Sequence, residues 1–133
     1  MTMHPTITDA TRCPCLSGDT YGNCCGRYHS GSAVAPTAEA LMRSRYAAFA
    51  VGDADYLRRT WHPRTRPDTL DLDPDLVWRR LEIVQTSGGG PFDTAGTVEF
   101  VAHYVDHGGR GSMREHSRFV REDGHWLYVD AIG

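Results

Sequence analysis

The sequence predicts an α+β fold in which an N-terminal zinc knuckle is followed by helices packed on a curved antiparallel sheet. Three observations carry this expectation: all four cysteines fall between Cys13 and Cys25, a helical apolar pattern ends at Gly52, and β alternation begins at Leu81. With 133 residues the chain is expected to form a single core that needs no disulfides.

The cysteines come first. Cys13-Pro14-Cys15 and Cys24-Cys25 are two close pairs separated by Ser17-Gly18-Asp19 and Gly22-Asn23, residue types that permit tight bends. Four soft sulfur ligands brought together by such a turn suit a closed, structural zinc site. A disulfide framework is the competing reading, but it belongs to small secreted chains. Residues 1–12 carry no apolar segment of the kind a signal peptide requires, so a cytoplasmic location is expected. A redox pair would favour C-x-x-C, whereas the spacings here are C-x-C and C-C.

After a short linker at residues 31–36, Thr37 is a good helix N-cap, with Glu39 in the first turn and Gly52 suited to the position just beyond the C-terminus. Leu41, Met42, Tyr46, Ala48 and Phe49 form its apolar stripe, and Arg45 lies within that stripe. Asp53 caps a second, short helix carrying Tyr56 and Leu57, which Pro63 stops. Residues 64–75 read as a loop. Asp71, Asp73 and Asp75 with Glu82 mimic a calcium loop, but Leu76 stands where the turn glycine should be, and a solvated acidic loop leading to a short helical turn at 74–80 is expected instead.

Strands are expected at Leu81–Thr86, Gly96–Val105, Ser112–Arg121 and Trp126–Ile132, with Asp123-Gly124 a two-residue hairpin turn. Taking residues 108–111 as the preceding loop sets Tyr104 opposite Glu115, and the last hairpin sets Ser117 opposite Asp130. One face then gathers Val98, Phe100, Ala102, Tyr104, Met113, Glu115, Ser117, Phe119, Trp126, Tyr128, Asp130 and Ile132, and its aromatic density makes it the helix-covered side. His103 and His116 would share the opposite, solvated face.

Composition narrows the chemistry. A net charge of −3 gives no general attraction to nucleic acid or anionic membrane, and no apolar run approaches the ~20 residues of a transmembrane helix. All 14 basic residues are arginine, which removes Schiff-base and P-loop lysine chemistry.

The string Cys13-Pro14-Cys15-Leu16-Ser17-Gly18, with Tyr21 and Cys24-Cys25-Gly26, resembles the SEC-C zinc motif found at the end of the SecA translocation ATPase. It departs in having Leu16 where the motif usually has glycine, and in lacking lysines between the cysteine pairs; neither position supplies a ligand. Tyr21 to His29, Thr37 to Phe49, Asp55-Tyr56-Leu57, Thr60-Trp61-His62-Pro63 and Val98-Glu99-Phe100 extend the likeness, which closely resembles the YchJ family over nearly the whole chain. That resemblance implies a SEC-C module, here residues 1–32, followed by a cone-shaped domain, residues 33–133, similar to nuclear transport factor 2 and ketosteroid isomerase. It implies fold and zinc but no reaction.

Cone folds of this type often hold a pocket between the sheet and the helices. The candidate lining is Arg45, Tyr46, Trp61, His62, Phe100, Tyr104, Glu115, Ser117, Tyr128 and Asp130, with Arg45 expected to pair with Glu115 or Asp130. His62 is the lone candidate for acid–base work. No established catalytic constellation is legible. The leading expectation is a zinc-binding, non-enzymatic adaptor that meets a protein partner through the knuckle, and the alternative is a small-molecule-binding protein or enzyme that uses the cone pocket.

Overall fold

The computed structural model describes residues 7–132; residues 1–6, half of the stretch read for a signal segment, and Gly133 lie outside it. A single 3-10 turn at Tyr21–Asn23 leads into helices α1 (Cys25–Ser30), α2 (Ala38–Val51) and α3 (Ala54–Arg59). Strands β1 (Val77–Gly88), β2 (Ala95–Asp106), β3 (Gly109–Glu122) and β4 (His125–Ala131) then form an antiparallel meander in chain order. No helix among the described residues is long and apolar enough to cross a membrane.

The helix signals act as their chemistry requires. Thr37 Oγ1 accepts from Ala40 N at 3.0 Å and Asp53 Oδ1 accepts from Tyr56 N at 3.0 Å, each satisfying a backbone donor that the helix itself leaves open. Gly52 closes α2 in the left-handed region at φ 80°. Leu41, Met42 and Tyr46 then pack on Val98, Phe100, Ala102, Phe119 and Trp126 of the sheet. Ala48 turns instead to Tyr56 and Leu57 of α3.

Strand geometry departs from expectation in three places. β1 begins at Val77, so residues 77–80 are strand and no helical turn precedes Leu81; pairing of Val77 with Val105 and Trp78 with Tyr104 overrides the local preference. The β2–β3 turn is shorter than a loop over 108–111: Asp106 already pairs with Gly109, and the Asp106 side chain accepts from Gly108 N at 2.8 Å. Tyr104 therefore faces Gly111, and Glu115 faces Phe100. The four-residue displacement is even, so each side chain keeps its expected face. His103 and His116 pair with Ser112 and Glu99 and are not neighbours.

At the last hairpin Phe119 meets Tyr128 as expected, across a turn in which Asp123 and Gly124 both have positive φ. A bulge between Arg118 and Phe119 then shifts the remainder. Ser117 faces Ala131, and Asp130 swings to the outer face, where Arg118 holds it through two bonds.

The N-terminus of α2 is seated on the β1–β2 connection, where Ala38 N donates to Gly89 O at 2.9 Å. Backbones approach so closely there that a Cβ on Gly96 would lie 2.5 Å from Gly89 Cα. Gly96→Ala should therefore destabilise the protein by about 3 kcal/mol through overpacking against backbone that cannot give. Urea denaturation measures the loss, and a change below ~0.5 kcal/mol would contradict the close approach.

Candidate metal centre and cone cavity

The knuckle is closed by backbone hydrogen bonds that bring its two cysteine pairs together. Cys13 N donates to Asp19 O at 3.0 Å, Tyr21 N to Thr11 O at 2.7 Å and Leu16 N to Cys13 O at 3.0 Å. Leu16 is held at φ 63°, which is why this position suits glycine and why a leucine here is strained. Cys24 ends the 3-10 turn and Cys25 opens α1.

All four Sγ atoms lie within 4.8 Å of one another and none is in a disulfide. Cys15 and Cys24 sulfurs are 3.6 Å apart, and those of Cys24 and Cys25 are 3.9 Å apart. Four thiolates bound at roughly 2.3 Å around a tetrahedral ion would be spaced by about 3.8 Å, so the set fits one metal ion. The electrostatics agree. Hydrogen bonds from Cys13 and Cys25 pull the ionisation of Cys15 down, while the bond to Cys15, with burial, pushes Cys13 up to about 12, and bonds to Cys13 and Cys15, with burial, push Cys25 up. A bound metal would let every sulfur become a thiolate.

The cluster is set into α2. Cys13, Cys15 and Cys25 pack on Ala47, and Arg43 Nη1 donates to Cys15 O at 3.1 Å. His29, which the sequence places beside the knuckle, links it to the helices: Nε2 donates to Ser44 O at 2.8 Å, so Nδ1 accepts from the Tyr21 hydroxyl. Tyr56 contacts the His29 ring at 4.6 Å between centroids, and its hydroxyl meets Ser44 Oγ at 2.7 Å. His29 is thus a half-buried tether between the knuckle and helices α2 and α3.

Between α2 and the sheet lies a cavity of about 210 Å³. Of the ten candidate residues it gathers Arg45, Tyr46, Trp61, Phe100, Glu115 and Tyr128, and it adds Met42, Phe49, Trp78, Ala102 and Met113. Trp78 was missed because its segment read as a helical turn; Phe49 was visible in the α2 stripe. The other four candidates sit elsewhere. Ser117 is buried beneath the floor and donates to Glu115 Oε2 at 2.5 Å. Tyr104 packs edge-on against Trp78. Asp130 is displaced by the bulge. His62 accepts from Arg64 N and donates from Nε2 to Glu122 at 2.9 Å, a tether outside the cavity lining.

Arg45 is buried at 3% exposure, but neither expected carboxylate bonds to it. Its Nη1 donates instead to Leu57 O at 2.8 Å and Thr60 Oγ1 at 2.7 Å, and its guanidinium carbon lies 4.6 Å from the Tyr128 ring centroid and 5.1 Å from that of Trp61. Glu115 Oε2 accepts from Tyr128 as well as Ser117, at 2.9 Å. Burial lowers the Arg45 pKa to about 10, so the guanidinium stays charged at neutral pH.

Residues 37–131 match the family described as YchJ, middle NTF2-like domain, and residues 11–27 match the SEC-C motif. A UPF0225 protein of Streptomyces coelicolor is 59% identical over 118 residues, which cover 89% of this chain and 92% of that one. The solution structure of a SEC-C motif containing protein from Rhodopseudomonas palustris superposes with a TM-score of 0.78 at 36% identity, covering 90% of this chain and 95% of that one. A crystal structure of a SEC-C motif containing protein from Psychrobacter arcticus gives 0.77 at 28% identity, covering 92% and 82% respectively.

Burial holds the His29 imidazole below its ordinary value, against the opposing pull of its bond to Ser44 O. As pH falls through about 6.5 the unfolded chain takes up this proton first, so stability declines from there until the folded-state value is passed. Urea denaturation at pH 7.5 and 5.5 should show a larger acid loss in the wild type than in His29→Gln. Equal losses would mean that His29 protonates as readily in the folded protein as in the unfolded chain.

Proposed function

The chain belongs to the YchJ family, and from that premise we propose that it is a zinc protein whose knuckle is structural and whose cone binds a small molecule. The observation that carries the second part is the open cavity. Phe119 and Trp126 are buried in the core without entering it, while Phe100 and Tyr128 form its walls rather than its filling. A chamber with aromatic walls and a few polar groups is the usual form of a small-molecule site.

The donor set supports zinc. Four thiolates with near-tetrahedral spacing favour it over harder ions, and a site closed by four protein ligands leaves no open position for a reacting water. Reduced, clustered thiols suit the cytoplasm. The adaptor reading draws on a different feature: Leu16 in the knuckle is exposed, at 46%, and offers an apolar contact to a protein partner. With a net charge of −3, a nucleic-acid partner is not proposed.

Native mass spectrometry of the protein purified under reducing conditions, with elemental analysis, tests both parts. We expect one zinc per chain and a small molecule retained by a fraction of the protein. Cys25→Ser should lower zinc occupancy and stability together, because metal binding and ordering of the knuckle are one process. A metal-free reduced protein of unchanged stability would overturn the zinc assignment. A stoichiometric protein partner lost on Leu16→Ser, with an empty cone, would favour the adaptor.

A further inference from the structure

Two opposite charges line the same cavity without bonding to each other. Arg45 is fixed from one side by Leu57 O and Thr60 Oγ1 and stacked on Tyr128 and Trp61. Its Nε and Nη2 bond to no described residue. Glu115 is fixed through Oε2 by Ser117 and Tyr128, and its Oε1 likewise bonds to no described residue. Both side chains therefore keep an open edge inside a chamber whose remaining walls include Met42, Phe49, Trp78 and Phe100. Trp61, another wall, carries the one buried side-chain donor among the described residues that has no partner, its Nε1.

A buried guanidinium with no carboxylate bonded to it is costly, and its planar free edge matches a carboxylate with two parallel hydrogen bonds. Glu115 Oε1 is an acceptor with capacity for an ammonium. A simple anion entering the cavity would meet Arg45 favourably but also face Glu115; a simple cation would have the reverse problem. A neutral guest would leave both charges unmatched.

We propose that the cavity takes a small zwitterion, an α-amino acid with an apolar side chain of about leucine size, its carboxylate on Arg45, its ammonium on Glu115 and its side chain among the aromatic walls. This rests on the ligand-binding reading of the cone. A volume of about 210 Å³ sets the size: it is smaller than the ~300–1,000 Å³ of drug-sized sites and holds a guest of roughly ten non-hydrogen atoms.

The test is calorimetric titration of the full-length, zinc-loaded protein with L-leucine, 4-methylpentanoate, 3-methylbutylamine and 4-methylpentan-1-ol, which share one hydrocarbon body and differ in their charged groups. Leucine should bind most tightly, with each singly charged analogue weaker by roughly 10- to 100-fold, the worth of one charged hydrogen bond. Glu115→Gln should weaken leucine by a similar factor and leave 4-methylpentanoate unchanged or improved. If 4-methylpentanoate matches leucine in the wild type, the Glu115 contact is wrong and the zwitterion is overturned. If the alcohol binds at least as well as leucine, the zwitterion is also overturned while the cone remains a ligand site. If none of the four binds at about 10 mM, a millimolar limit that any useful site exceeds, the amino-acid proposal is overturned, while the ligand-binding reading stands or falls separately on the small molecule retained in native mass spectrometry. The wild-type series decides the matter even where Glu115→Gln does not fold.

Discussion

Helix α2 is buried on three sides, and that constraint shapes the rest of the molecule. Ordinary surface helices hide one apolar stripe and leave the opposite face to water. Here Leu41, Met42 and Tyr46 meet the sheet, Ala48 meets α3, and Ala47, fully buried, meets the cysteine cluster. The sides that receive the knuckle and α3 carry small residues, so backbone and sulfur can come close; the side toward the sheet carries large ones. Polar groups in such a helix must be satisfied nearby. Ser44 does so through Leu41 O and Tyr56, and Arg45 through Leu57 O and Thr60.

The same arrangement explains why the cavity stays open. Arg45 is held toward α3 by neutral oxygens and by two aromatic rings, so it does not collapse across the chamber onto Glu115. Glu115 is held by Ser117 and Tyr128 on the sheet. Two charges tethered to different layers preserve both the gap and its polarity. Tyr128 serves both sides, since its ring faces Arg45 and its hydroxyl donates to Glu115. On the outer face of the sheet, by contrast, Glu99 pairs with Arg114 and Asp130 with Arg118 in contact with solvent, where such pairs add little to stability.

Local chemistry made much of this legible. Thr37, Gly52 and Asp53 mark helix ends because capping depends on a few adjacent residues, and Asp123-Gly124 marks a turn because positive φ is demanded there. The cysteine cluster was readable from spacing alone. Register was not, because whether Asp106 or a later residue closes the β2–β3 turn is settled by a side-chain bond to Gly108 that spacing does not disclose. A bulge at Arg118 was equally hidden, and it alone moved Asp130 out of the cavity. Arg45 was correctly expected inside, but its partners were not. The neutral acceptors Leu57 O and Thr60 Oγ1 lie on a neighbouring helix end, where no charge pattern points to them.

Contacts between the cysteine cluster and α2 join the knuckle to the helix that packs on the sheet, so metal occupancy and the order of α2 should be linked. Amide hydrogen exchange, followed before and after zinc chelation under reducing conditions, tests this most directly. Protection should fall at residues 13–29 and also at Arg43 to Ala48 of α2, while Val98 to Ala102 at the centre of the sheet retain theirs. Loss of protection confined to residues 13–29, with α2 unchanged, would contradict the central place given to that helix.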